Sequence, residues 1–126
     1  AVSTYLAATE LAVVSGYPAS QAALARIDPT DSRIAERFEI FCAGLEVANG
    51  YRELRDASEQ ERRFSSDRTA RARLGRPDIV PDSALLAALD AGLPDCAGVA
   101  LGFDRVLMFL LGLPDIQSAI SFPAGS

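Results

Sequence analysis

An α+β fold is predicted by three features of the sequence: a hairpin pattern of aromatic and β-branched residues over 38–49, a shorter run of the same kind over 11–17, and two segments of helical composition at 56–74 and 82–91. Aromatic and β-branched side chains suit the pleated surface of a strand. Ala43-Gly44 supplies a two-residue turn between 38–42 and 45–49, although Asn or Asp ahead of the glycine would suit that turn better.

Taken in order, residues 1–10 read as a weak helix or a frayed end. Residues 11–17 read as a strand stopped by Pro18, 19–27 has the composition of a helix, and Asp28-Pro29-Thr30-Asp31 is a turn. After the hairpin, Asp56 with Glu59 three positions on forms a capping box, opening a helix that runs to Leu74 and stops at Gly75. Glu59 with Arg63, and Asp67 with Arg71, are expected ion pairs one turn apart on it. Its arginines read as a solvated face, with a docking face for an acidic partner as the alternative. Residues 75–81 form a loop, and 82–91 a second, apolar helix stopped by Gly92 and Pro94. Residues 96–102 are small and β-branched and read as a buried strand. A short buried helix over 106–111 follows, capped by Asp104 and ended by Gly112 and Pro114.

Composition bounds the function. The 126 residues make one domain at most, and a domain of this size buries roughly two thirds of its unfolded surface. Half the residues are apolar and mean hydropathy is +0.15, which excludes a disordered chain and leaves a surface thin in charge, with apolar area that expects a partner. A net charge of −5 argues against a nucleic-acid-binding module, tRNA included, because such a module needs a basic face to displace counterions. All twelve basic residues are arginine, and histidine is absent. Histidine-based triads, lysine Schiff bases and histidine metal sites are therefore excluded, and chemistry must rest on carboxylates, arginine and a bound metal or cofactor. Cys42 and Cys96 could pair, but without a signal peptide they read as reduced thiols of a cytoplasmic protein. No apolar run reaches the roughly 18 residues of a membrane span.

Candidate chemistry concentrates in the hairpin, where Glu39, Glu46 and Glu53 recur every seven residues with Asn49 among them. Closing the turn at Ala43-Gly44 sets Cys42 opposite Leu45, Phe41 opposite Glu46 and Glu39 opposite Ala48. Glu39 and Glu46 then share a face as diagonal neighbours, roughly 7–8 Å apart at Cα. Two carboxylates so placed repel each other unless something positive lies between them. A hard cation such as Mg2+, its shell completed by substrate phosphates, would fit. Two solvent-facing glutamates of a half-exposed hairpin are the favoured reading on spacing alone. Asn49 and Glu53 have the opposite parity, so all four converge only if the strand slips by one residue after Glu46, with Gly50 the natural place for the bulge. The amide and carboxylate would then suit an ammonium ligand.

Toward the C-terminus, Gly98 and Gly102 permit close approach by a ligand or another backbone. Arg105 in a first helical turn opposes the helix dipole, and with the helix N-terminus it makes an anion site suited to a phosphate. A salt bridge to a nearby carboxylate explains it equally well.

These residues carry a resemblance. Glu39, Glu46-Val47-Ala48-Asn49-Gly50 and Tyr51-Arg52-Glu53-Leu54, followed by a helix rich in both charges, resemble the amino-acid-binding strands of class II lysyl-tRNA synthetases and their short paralogues. Gly98-Val99-Ala100-Leu101-Gly102-Phe103-Asp104-Arg105-Val106-Leu107-Met108 resembles motif 3 of that class. Pro18-Ala19-Ser20-Gln21-Ala22-Ala23-Leu24-Ala25, the stretch from Pro94 to Gly102, and Ala100 itself are most similar to the elongation factor P–(R)-β-lysine ligases, which modify a protein lysine instead of charging tRNA. Synthetases that charge tRNA with lysine usually carry glycine at the position of Ala100. The likeness runs from about Val14 to the end.

The resemblance implies an antiparallel sheet flanked by helices and a site where ATP and an amino acid join as an aminoacyl adenylate. Glu39 and Glu46 would hold Mg2+ with the ATP phosphates, and Arg105 the γ-phosphate. Asn49 and Glu53 would receive the amino groups of lysine or (R)-β-lysine, with Gly102 beside the substrate and Ala100 narrowing the pocket for the β-amino acid. The acyl group would pass to elongation factor P. Motifs 1 and 2 have no counterpart, so residues 1–126 are expected to be a single partial domain, the C-terminal portion of such a ligase, inactive alone. An unpaired sheet edge and exposed apolar surface are expected with it, favouring homo-oligomers. The alternatives are the C-terminal portion of a lysyl-tRNA synthetase and a non-catalytic oligomerising module.

Overall fold

The computed structural model describes Leu6 and residues 10–123, so the expectation for residues 1–10 falls almost wholly outside it. In chain order the elements are β1 (Leu11–Pro18), β2 (Ile34–Cys42), β3 (Leu45–Arg52), α1 (Ala57–Arg73), α2 (Ser83–Ala91), β4 (Ala97–Leu101) and α3 (Phe103–Leu110). The strands form one sheet in the order β1-β2-β3-β4, with every neighbouring pair antiparallel.

The hairpin forms between β2 and β3 as its composition predicts. Ala43 and Gly44 both have positive φ, 47° and 83°, the left-handed pair that matches the twist of the flanking strands. Ala43 is strained there, and Ala43→Asn is expected to stabilise the chain by about 1 kcal/mol, a rise of about 4 °C in Tm. An unchanged or lower melting temperature would contradict this.

The register carries the main correction to the sequence reading. Cys42 pairs with Leu45 and Phe41 with Glu46, but Glu39 pairs with Asn49, and Ala48 belongs to Ile40. The slip does come directly after Glu46, at the buried Val47, and Gly50 is a regular member of the ladder. Gly50 is needed for space: a Cβ there would lie 2.5 Å from Phe38 Cζ and 3.0 Å from the Gly98 carbonyl oxygen. The carbonyls loosened by the bulge find donors at the start of α3. Gly102 N–H donates to Val47 O and Arg105 Nη1 to Glu46 O, both at 2.8 Å. A second bulge interrupts β1 between Ser15 and Tyr17, at Gly16 with φ of 70°.

Residues 19–27 are not a helix. One turn of 3-10 helix, Ala19–Gln21, gives way to an irregular segment in which Ala25 bridges to Glu53 and Ile27 to Ala35. Two of the alanines there serve packing: Ala22 and Ala25 are buried with Ala35 of β2 beneath Tyr17, Ile27 and Tyr51. Arg63 holds the segment to α1 by donating to the carbonyls of Ala23 and Ala25, contacts that outweigh the helical preference of its composition.

In α1, Asp56 Oδ1 accepts from Glu59 N–H at 3.0 Å, the helix gives out at Leu74, and Gly75 follows with φ of 64°. Glu59 pairs with Arg63 at 3.0 Å. The expected pair of Asp67 with Arg71 is not made. Arg71 donates to Pro77 O instead, and Arg68 reaches Asp78 in the following loop. Asp82 caps α2, which ends at Gly92.

The strand expected to be buried near the C-terminus is exposed, and the helix after it is only half-buried, over Val106–Phe109. Every residue of β4 is open to solvent, and no residue of α3 is buried. Among the described residues β4 pairs only with β3, and nothing covers Val99, Leu101, Phe103 or Leu110, with Phe103 71% exposed. Gly102, not Asp104, is the N-cap of α3, and Asp104 sits in its first turn. A partly exposed ion network of Arg26, Glu36, Arg52 and Asp95 ties the lead-in to β4 to the sheet, a link of small energetic value near the surface. Cys42 and Cys96 are free thiols.

Candidate functional site

The two bulges build the candidate site. Strand alternation with a slip at Val47 puts Asn49 on the face that carries Glu39 and Glu46, and Tyr51 follows two residues on. The Gly16 bulge turns Tyr17 onto the same face, opposite Ala35. β4 adds Gly98 and Ala100 opposite Tyr51 and Asn49.

Glu39 is the buried centre of this face, 9% exposed. Tyr17 Oη donates to its Oε2 and Arg37 Nη2 to its Oε1, each at 2.5 Å. The Arg37 guanidinium lies 4.6 Å from the Tyr17 ring centroid, donates from Nη1 to Gln21 O at 2.7 Å, and reaches Asn49 Oδ1 from Nε at 3.4 Å. Glu46 is half-buried, and its carboxylate accepts no hydrogen bond from the described residues.

Burial first, then the hydrogen bond and charge of Glu39, push the Tyr17 phenol up to about 12, with a smaller push from Glu46 and an opposing pull from Arg37. Its raised folded value means the associated stabilisation is complete below pH 10, the ordinary tyrosine value, and is lost as pH rises through about 12. Glu39→Gln is expected to bring the phenol down while leaving it above 10, because burial remains. A pH titration of the Tyr17 13Cζ resonance reads this. A value unmoved by the substitution would contradict the contact.

Beside this centre a shallow cavity of about 270 Å3 is lined by Asn49, Tyr51, Glu53, Gly98, Val99 and Ala100. A Cβ at Gly98 would lie 3.0 Å from Glu53 Oε1, so glycine there lets the Glu53 carboxylate lie over β4. Burial, and next the Glu53 charge, raise the Tyr51 phenol. An amide oxygen and a carboxylate meeting in one cavity suit an ammonium group. A larger hollow of about 500 Å3 lies between residues 19–23 and α1, but its arginines, Arg37 and Arg63, are already committed to Glu39 and Glu59.

The structure thus brings Glu39, Glu46, Asn49, Glu53 and Ala100 to one stretch of sheet. Gly102 stands apart as the N-cap of α3, outside the lining of the small cavity. Arg105 is exposed, makes no ion pair among the described residues, and spends one donor on the Glu46 carbonyl, leaving most of its guanidinium open. The expected alternative of a carboxylate partner is therefore not what holds it. Among the described residues no group of three metal-ligating side chains occurs. The donor set still fits Mg2+ in its usual form of one or two carboxylates completed by phosphate oxygens. Glu46 is free, and Glu39 keeps unused lone pairs after its two hydrogen bonds.

Sequence reasoning missed Tyr17 and Arg37. Gly16 inside a strand pattern was the available signal for the first, and Arg37 stands two residues from Glu39 on the same strand, hence on the same face.

Comparison with known proteins agrees with this architecture. Residues 4–126 match the family model for tRNA synthetases class II (D, K and N). The chain belongs to the class II tRNA synthetases. Among curated members of this class, the chain is 56% identical over 106 residues to the elongation factor P–(R)-β-lysine ligase of Klebsiella pneumoniae (strain 342), covering 84% of this chain and 33% of that one. The proteins of the same name from Vibrio atlanticus and Yersinia pestis are 52% and 48% identical, covering 89% and 97% of this chain and 35% and 38% of theirs. The chain therefore spans about a third of the length of the class II relatives it matches. No described helix is long and apolar enough to cross a membrane.

Proposed function

We propose that this chain supplies the amino-acid-binding side, and part of the ATP-binding side, of a cytoplasmic ligase that activates (R)-β-lysine or lysine and passes it to a lysine of elongation factor P. The observation that carries this reading is the Val47 bulge, which puts Asn49 beside Glu39 on one face of the sheet, with Glu53 and Ala100 around the same cavity.

In this reading Glu53 and Asn49 receive the substrate's amino groups, and burial of Tyr51 keeps that end of the cavity partly dry. Ala100 adds one methyl opposite Asn49, where a lysyl-tRNA synthetase has room for a different placement of the amino group. Glu39 and Glu46 would hold Mg2+, which supplies charge neutralisation at the ATP phosphates. Arg105 at the start of α3 binds the γ-phosphate with its open donors. The substrate carboxylate attacks the α-phosphorus in line, the bond to the bridging oxygen breaks, and pyrophosphate leaves. The acceptor amine then attacks the acyl carbon and AMP departs. The acidic net charge makes tRNA a poor acceptor. The uncovered Val99, Leu101, Phe103 and Leu110 are where a further part of the ligase, or a second copy, is expected to pack.

ATP–pyrophosphate exchange with Mg2+ tests this, on the chain as given and on the chain joined to the remaining two thirds of the Klebsiella relative. No exchange is expected from the chain alone. The joined protein should exchange with (R)-β-lysine in preference to α-lysine, and Ala100→Gly should move that preference about tenfold toward α-lysine. A folded joined protein without exchange would contradict the ligase reading. A preference for α-lysine would assign the chain to a lysyl-tRNA synthetase.

A further inference from the structure

We propose that Arg37 is a positioning residue that sets the two ends of the site from one guanidinium. It donates to Glu39, at the metal and phosphate end, and to Asn49, at the amino-group end. The inference rests on the reading above for what those two ends bind. The juxtaposition itself does not depend on that reading.

Four contacts define the arrangement. Nη2 meets Glu39 Oε1 at 2.5 Å, Nε meets Asn49 Oδ1 at 3.4 Å, Nη1 is anchored on the Gln21 carbonyl at 2.7 Å, and the flat face rests on the Tyr17 ring. Tyr17 in turn donates to the other oxygen of Glu39. A guanidinium has its donors in a rigid planar fork, so fixing two edges and one face leaves its orientation no freedom. Glu39 and Asn49 are therefore placed relative to each other by one rigid group as well as by the β2–β3 ladder.

The Asn49 contact has a chemical consequence. Arg37 takes the amide oxygen, which fixes the amide flip and turns the NH2 away from Arg37. The oxygen keeps a lone pair for an ammonium ligand. Without Arg37, the amide can rotate and present NH2, a donor that repels the same ligand. The favourable pair of Arg37 with Glu39 also offsets the burial of that carboxylate. A lysine here would keep the charge and lose the fork, the stacking surface and the simultaneous reach to both partners.

The test uses the whole chain, 15N-labelled, with Arg37→Met and Arg37→Lys compared with wild type. Arg33→Met serves as control, since among the described residues its exposed guanidinium pairs with Asp31 alone. The Asn49 side-chain NH2 resonances and the affinities for lysine and for Mg2+–ATP are measured, with thermal melts confirming the fold. A positioning role gives moved or averaged Asn49 NH2 resonances in both Arg37 variants and not in the control. It also weakens both ligands about tenfold in either Arg37 variant, whereas Glu39→Gln weakens only Mg2+–ATP and Asn49→Ala only lysine. Should Arg37→Met fail to fold, Arg37→Lys carries the same comparison. Asn49 resonances that stay in place in a folded Arg37 variant would overturn the proposal. If wild type binds neither ligand while the Asn49 resonances move, the positioning contact stands and the proposed function is what fails.

Discussion

Glu53→Gln should weaken the lysine substrate by about tenfold in KM, read by pyrophosphate exchange on the joined protein. Removing one charge from a desolvated ion pair costs far more than removing one at a rim, because the other charge is left in the cavity without its partner. Glu53 is half-buried and lies between those two limits. Its carboxylate borders the small cavity, Gly98 is a glycine where any side chain would crowd it, and no arginine among the described residues neutralises it. Gln keeps the shape and the hydrogen bonding and removes only the charge. An unchanged KM would take Glu53 out of the site and leave Asn49 without a charged partner for an ammonium group.

Gly50→Val should destabilise the chain by about 3 kcal/mol, and Gly50→Ala by somewhat less. The general expectation runs the other way, since a glycine inside a strand gives up about 0.5–1 kcal/mol relative to alanine. Geometry decides the sign here. A Cβ would meet Phe38 Cζ at 2.5 Å and Cε1 at 2.6 Å, and the ring cannot be relieved by swinging alone because the Gly98 carbonyl closes the other side at 3.0 Å. Thermal melts of the chain measure it, and pairing the change with Phe38→Leu should recover part of the loss through coupling between neighbours. A stabilised Gly50→Ala variant would show that β3 and β4 lie farther apart than described.

The contrast between Gly50 and Val47 also shows how far the site was legible. The need for a slip after Glu46 followed from parity alone, because Asn49 and Glu53 could not otherwise share a face with Glu39. Its position did not follow. Glycine is the residue a bulge most often uses, and a β-branched Val47 has the local preference of a regular strand. What permits the bulge is tertiary: the Glu46 and Val47 carbonyls are taken by Arg105 and Gly102 from more than fifty residues away. Arg105 was accordingly readable as a cation out of place in a first helical turn, while its contact with the hairpin was not.

Local signals served best where the determinant was local. The Asp56 cap, the Gly75 and Gly92 stops and the Ala43-Gly44 turn all stand where the sequence puts them. Residues 19–27 defeated the same approach because Ala22 and Ala25 are core packing beneath Tyr17 and Tyr51, a role that composition cannot separate from helix formation. The strand over 96–102 and the helix after it were misjudged for another reason. Their apolar residues suit burial, yet among the described residues nothing lies over Val99, Leu101, Phe103 or Leu110, and Val106–Phe109 are only half-buried.

The proposed function requires that Asn49 and Glu53, which meet at the sheet-face cavity, receive the ammonium group of a lysine-like substrate. An NMR titration of the chain as given with (R)-β-lysine and with α-lysine tests it most directly. Shifts are expected at the Asn49 side-chain NH2 and at the Gly98 and Ala100 backbone amides, with the amides of α1 around Arg63 and Ser66 unmoved. Shifts confined to the hollow between α1 and residues 19–23, or none at Asn49 at saturating ligand, would contradict it.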